Sequence, residues 1–171
     1  IGVIGTGGMG TRHAVNLQRH VVGARVAAVY DLDAERAAAA AKAVGGAQVF
    51  SDPRELIADT SIDAVVIASP DPTHAEMAAA CLKAHKPVLC EKPLATTSAT
   101  AREIVEQEVA IGRRLIAVGF MRRFDPAHVA VKRVIESGQI GRPILFKGTS
   151  RAGMMPADLP VATILTNSAI H

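Results

Sequence analysis

Gly5, Gly7 and Gly10 set the first chemistry open to this sequence. They form the pattern G-x-G-x-x-G, with Thr6, Gly8 and Met9 between them, after an apolar run and before a segment of helical character. Glycines at that spacing allow a tight turn and a close approach of the backbone. A pyrophosphate can then rest on the N–H groups of the helix N-terminus. Asp31 lies 21 residues beyond Gly10, at the end of the next apolar run. That is near the ~20 residues expected for the carboxylate that holds the adenosine ribose of a dinucleotide. A carboxylate accepts hydrogen bonds from a ribose 2′-hydroxyl and repels a 2′-phosphate, so NAD is favoured over NADP. The next cation along the chain, Arg36, is a helical turn away.

The second chemistry is that of a lysine. Val88-Leu89-Cys90 runs directly into Glu91-Lys92-Pro93, where the proline holds Lys92 out of the helical region. Ligands of open α/β sheets lie outside the carboxyl ends of the strands. An amine at that edge sits where such proteins keep their chemistry; a solvated turn is the plain alternative. At the far end of the chain, Asn167 and His171 are four residues apart and share one face of a helix that carries them.

Alternating elements must position these residues. "IGVI", "RVAAVY", "AQVF", "DAVVIAS", "PVLC" and "LIAVGF" read as strands, and helices are expected between them. Pro53 suits the first turn of a short helix. Thr73-His74-Ala75-Glu76 has the capping-box pattern for a helix to about Lys83, and Gly112 closes a helix from about Ser98. The uninterrupted apolar run of "DAVVIAS" suits a parallel strand buried on both faces. This alternation predicts an α/β fold with a doubly wound parallel sheet over residues 1–120. After Phe120 the rhythm changes. Asp125-Pro126 starts a helix that Gly138 stops, and "PILFKGTSR" alternates as a half-exposed strand. Residues 121–171 therefore read as the start of a second α/β domain with a mixed, largely antiparallel sheet.

Composition excludes several classes. The 171 residues are 49% hydrophobic, with 3% aromatics and no tryptophan, which suits alanine-rich helices on a buried sheet. No apolar run approaches the ~20 residues of a membrane span. The net charge of +3 is dispersed, with no basic stripe longer than Arg113-Arg114 or Arg122-Arg123, so nucleic acid is not an expected partner. Cys81 and Cys90 suit a reducing compartment, the cytoplasm, better than a disulfide framework. Neither cysteine has metal-ligand spacing. Ile1 opens within an apolar run without an initiator methionine, so the N-terminus reads as trimmed and compatible with a lost export signal. His171 closes the chain inside an expected helix.

Together these motifs make the chain resemble the Gfo/Idh/MocA oxidoreductase family along essentially its whole length. "VIGTGGMG" resembles the family's cofactor loop and "VVIASPDPTHAEMAAACLKAHKPVLCEKPLA" its most characteristic block. "GFMRRFDP" is similar to the start of its second domain, and "TNSAIH" to its catalytic helix. The resemblance implies NAD(P)-dependent oxidation of a secondary alcohol on a cyclitol, sugar or related polyol. "GFMRRFDP" and "NSAIH" are most similar to the inositol-oxidising members. Lys92 would match the lysine that binds the reacting hydroxyl and stabilises negative charge on its oxygen, with Pro93 aiming it and Glu91 as its partner. His171 would match the proton acceptor. Asn167 stands where the family often has Asp, and can orient the imidazole but not balance its charge. Ser69-Pro70-Asp71 replaces the commoner Thr-Pro-Asn and would contact the dinucleotide, with His74 and Arg123 near the cofactor. Homo-oligomers, dimers or tetramers, are expected of the full-length protein. Sugar dehydrogenases of the same family, and an NAD-binding sensor without turnover, are the competing readings.

Overall fold

The computed structural model describes residues 1–149. It divides into two compact units, Ile1–Gly119 and a second from Phe120 onward. The first unit runs β1 (Gly2–Ile4), α1 (Gly8–His20), β2 (Ala28–Tyr30), α2 (Ala34–Ala43), β3 (Gln48–Val49), α3 (Pro53–Ala58), β4 (Val65–Ile67), α4 (His74–Lys83), β5 (Val88–Cys90), α5 (Ser98–Ile111) and β6 (Ile116–Val118). The strands form one sheet of order β3-β2-β1-β4-β5-β6, and every neighbouring pair is parallel. This is the doubly wound sheet expected from the sequence.

Two apolar layers hold the sheet, because successive residues of a strand point to opposite faces. Val3, Val29, Val66 and Leu89 pack with Ala14 of α1 and with Ala37 and Ala41 of α2. Their immediate neighbours Ile4, Ala28, Val65, Ile67, Val88 and Cys90 pack on the other side with Leu56 of α3, Cys81 and Leu82 of α4 and Ile104 of α5. The central strands are thus apolar without interruption because both faces are covered. Ile4, Ile67, Leu56 and Leu82 are essentially fully buried. Truncating one such side chain to alanine costs about 2–5 kcal/mol.

Local signals place most helix ends. Asp33 Oδ1 accepts from the N–H groups of Glu35 and Arg36, and Asp52 Oδ1 from that of Arg54, directly before Pro53. Thr97 Oγ1 accepts from Thr100 N–H, and Gly112 closes α5 at φ +71°. The capping box expected at Thr73 does not form. Thr73 ends a 3₁₀ turn, Asp71–Thr73, and makes no side-chain cap. Its hydroxyl bonds the Pro70 carbonyl and the Ser69 hydroxyl instead, while Glu76 pairs with Arg54.

In the second unit Asp125 caps α6 (Pro126–Glu136), accepting from Ala127 and His128 N–H. Residues 143–149 lie outside any strand, although the alternation of "PILFKGTSR" suggested one. A strand requires a hydrogen-bonded partner, and none of the described residues supplies it. The expected antiparallel sheet, Asn167 and His171 lie outside the described residues.

Candidate active site

Strand register builds the site. Ile4 pairs with Tyr30 and with Ile67, Ile67 with Cys90, and Cys90 with Val118. Five strands therefore end level, and Gly5, Asp31, Ala68, Glu91 and Gly119 leave the sheet along one carboxyl edge. Four further bonds of 2.8 Å keep the line beyond the strands: Gly5 N to Tyr30 O, Ala68 N to Ile4 O, Glu91 N to Ile67 O, and Gly119 N to Cys90 O. With ~4.8 Å between strands, the glycine loop and the Lys92 turn stand about 10 Å apart along this edge.

The three glycines do different work. Gly5 has φ +86°, and a Cβ there would lie 2.4 Å from the Ser69 backbone nitrogen. A Cβ on Gly10 would lie 1.7 Å from the Gly5 carbonyl oxygen. These two residues let helix, loop and β4 meet. Gly7 has an ordinary φ of −63° and open space where a Cβ would be. It is the N-cap of α1, which has no side-chain cap and no acidic residue in its first turn. The free N–H groups there form an anion site at the positive end of the helix dipole.

Asp31 closes one side of the same space. Its Oδ2 accepts from Thr6 N–H at 2.7 Å and from the Thr6 hydroxyl at 3.1 Å. Its Oδ1 accepts from Asp33 N–H at 2.9 Å and from Arg36 Nη2 at 3.1 Å. Burial alone would raise the Asp31 pKa, but these hydrogen bonds, led by that from Asp33 N–H, outweigh it and lower the pKa below the usual carboxylate value. Four donors fill a carboxylate's acceptor sites. The Arg36 bond comes from an exposed side chain, so it is the one that a ribose hydroxyl can replace. Arg36 also lies 3.6 Å from Asp33 Oδ2, so this cation is already shared between two carboxylates.

A cavity of about 570 Å³ joins these parts. It is lined by Gly7, Gly8 and Met9, by Asp31, Ser69 and Pro70, and by the apolar side chains of Leu32, Pro53 and Met77. The donor set fits a dinucleotide: an uncapped helix end for pyrophosphate, a carboxylate for ribose and apolar surface for a base. Thr6 and Gly10 lie behind the loop as its support. Among the described residues, no cluster of three or more His, Cys, Asp or Glu side chains could hold a metal ion.

Beside this cavity lies the Glu91-Lys92-Pro93 turn, with Lys92 half-buried and Pro93 buried. The Glu91 carboxylate folds back beneath the turn. Its Oε1 lies 2.8 Å from His13 Nε2, and its Oε2 accepts from Lys92 N–H at 3.3 Å. His74 is almost completely buried and does not line the cavity. Its Nδ1 lies 2.6 Å from the Pro93 carbonyl oxygen and its Nε2 2.7 Å from that of Ser69, so the ring bridges the loops after β4 and β5. Asp71 stands in the 3₁₀ turn that leads into α4. Arg123 belongs to the second unit, exposed at the end of the turn Met121–Arg123. Neither the His13–Glu91 contact nor the Thr6–Asp31 bonds are legible in the sequence. Partners 78 and 25 residues apart leave no periodic signal.

Comparison with known proteins agrees with this geometry. Residues 1–120 match the Gfo/Idh/MocA family, described as an oxidoreductase family with an NAD-binding Rossmann fold. The chain is 52% identical over 171 residues to inositol 2-dehydrogenase of Rubrobacter xylanophilus, covering 100% of this chain and 49% of that protein. It is 53% identical over 171 residues to inositol 2-dehydrogenase 2 of Saccharopolyspora erythraea, covering 100% of this chain and 50% of the relative. The chain thus spans about half the length of these curated relatives. Among solved structures it is similar to myo-inositol dehydrogenase from Lactobacillus casei in complex with NAD(H) and myo-inositol. The TM-score there is 0.80 at 41% identity, over 83% of this chain and 42% of that one.

Proposed function

Because the chain belongs to the Gfo/Idh/MocA oxidoreductase family, we propose that its full-length protein is an NAD-dependent dehydrogenase oxidising a secondary hydroxyl of a cyclitol, inositol foremost. The observation that carries this reading is the single carboxyl edge that brings the glycine loop, Asp31 and Lys92 into one row. NAD bound in this cavity would supply the acceptor for the hydride of the carbinol carbon. The uncapped end of α1 would hold its pyrophosphate, and Asp31 would take the adenosine ribose and disfavour a 2′-phosphate. Lys92 donates to the reacting oxygen and stabilises the negative charge that grows there as the hydride leaves. The hydroxyl proton must leave with it, so a base within hydrogen-bond reach is required. By its likeness to the family's catalytic helix, His171 is that base, with Asn167 orienting the ring. The products are the ketone, NADH and a proton. Homo-oligomeric assembly and a cytoplasmic, reducing location belong to the same proposal, and the two cysteines are free and buried. Among the described residues, no helix is long and apolar enough to cross a membrane.

The test is NADH formation by the full-length protein against a panel of inositols, aldoses and linear polyols. A clear preference for an inositol supports the proposal. Tight NAD binding without reduction by any member of the panel would instead favour a sensor.

A further inference from the structure

Lys92 acts through an ammonium group at the end of a long, flexible stem, so its usefulness depends on where its backbone is anchored. The structure anchors it from three directions. Glu91 N–H bonds Ile67 O in the sheet at 2.8 Å, and the Pro93 carbonyl lies 2.6 Å from His74 Nδ1. The third anchor is the Glu91 side chain, which turns back against α1 and meets His13 Nε2 at 2.8 Å. The seat is shaped for this carboxylate. A Cβ on Gly119 would lie 3.2 Å from Glu91 Cδ and from both of its oxygens. His13 lies on the helix whose N-terminus is the pyrophosphate site, five residues after Gly8.

We propose that His13 is a positioning residue for the reaction: by holding the Glu91 carboxylate it fixes Lys92 against the helix that carries the dinucleotide. The ring nitrogen facing an acceptor-only carboxylate donates. The chain His13–Glu91–Lys92 then ties the donor to the reacting oxygen to the same rigid element that seats the cofactor. A misplacement of about 1 Å at such a donor can cost on the order of 100-fold in rate. The His13 and Glu91 side chains are only 24% and 14% exposed, so losing their contact costs some stability as well; a positioning role adds a loss of turnover in protein that remains folded.

This inference rests on the role proposed for Lys92, and a double-mutant cycle in the full-length protein separates the two. His13→Ala should lower kcat about 10- to 100-fold in protein that remains folded, with NADH affinity near wild type, because His74 still tethers the turn. His13→Gln, whose amide can donate to Glu91, should recover kcat to within about threefold of wild type. In the Lys92→Ala background, His13→Ala should lower kcat no further, since residues that act as a unit are not additive. A His13→Ala enzyme with wild-type kcat, additive losses in the double variant, or a folded His13→Gln no better than His13→Ala would each overturn the inference while leaving the role of Lys92 intact. If Lys92→Ala itself keeps its kcat, both fall together.

Discussion

Gly7→Ala and Gly10→Ala should fail in opposite ways, although both replace a glycine of one motif. At Gly10 the new Cβ would sit 1.7 Å from the Gly5 carbonyl oxygen, about half of an ordinary van der Waals separation. Gly5 has little freedom to retreat, because its N–H bonds Tyr30 O at 2.8 Å and a Cβ on it would lie 2.4 Å from the Ser69 nitrogen. Ordinary overpacking costs about 1–3 kcal/mol. A backbone clash with no rotamer to relieve it should cost about 3 kcal/mol or more, so Gly10→Ala should melt far below wild type or not fold. At Gly7 nothing lies within 4 Å of the new Cβ, and φ is −63°. Alanine is the poorer N-cap by several tenths of a kcal/mol, and the gain of about 0.4–1 kcal/mol from a less flexible unfolded chain offsets it. Stability should therefore stay within about 1 kcal/mol, while the methyl group occupies the space where a pyrophosphate approaches. With a tenfold rise in Kd, NADH at 100 times the wild-type Kd would stabilise the variant by about 1.4 instead of about 2.7 kcal/mol. Thermal melts with and without NADH, together with a fluorescence titration of NADH, measure both quantities. Equal losses of Tm in the two variants would refute the division of roles, as would wild-type NADH affinity in Gly7→Ala.

Asp31→Ser removes the carboxylate that repels a 2′-phosphate and frees Arg36 from its 3.1 Å bond. The ratio of kcat/KM for NAD to that for NADP should fall by about 10-fold or more, equivalent to ~1.4 kcal/mol; an unchanged ratio would show that Asp31 does not set the preference. The lowered Asp31 pKa also has a stability consequence. A folded-state pKa below the unfolded one gives stability that is complete above the ordinary carboxylate range and is lost as pH falls through the folded value. Asp31→Asn should therefore lose less stability than wild type between about pH 5 and pH 3, read as urea midpoints, and parallel losses would rule the contribution out. Burial pushes the Cys81 and Cys90 thiols up to about 12. In native protein both should react with a thiol reagent at a rate that tracks unfolding, so labelling at the rate of an exposed cysteine would contradict their placement.

The parts of this molecule that were legible in the sequence are those set by neighbours in the chain. "VVI" in β4 reads as a doubly buried strand because burial on both faces leaves no polar position in it, and α1 and α2 cover one face while α3, α4 and α5 cover the other. Asp52 before Pro53 and Gly112 after Ile111 carry their local geometry with them. Thr73 shows where such reading stops. Its hydroxyl had two uses within hydrogen-bond reach, a helix cap or the Pro70 carbonyl and Ser69 hydroxyl, and the loop won. Glu76, the other half of that expected box, went to Arg54 across 22 residues. The site depends still more on such distant choices. Each apolar run announces its own end, but nothing in one run states its level relative to the next. That level is fixed by Ile4 standing beside Tyr30 and Ile67, and by Cys90 standing between Ile67 and Val118. A slip of one residue would send each side chain of a strand to the opposite face, exchanging Val66 with its neighbours Val65 and Ile67 between the two cores. Both faces are apolar, so it is the fit of Val66 in one core and of Val65 and Ile67 in the other that favours this register, and the register makes five loops leave at one height. Glu91 can then reach back to His13 while Lys92 stays at the edge.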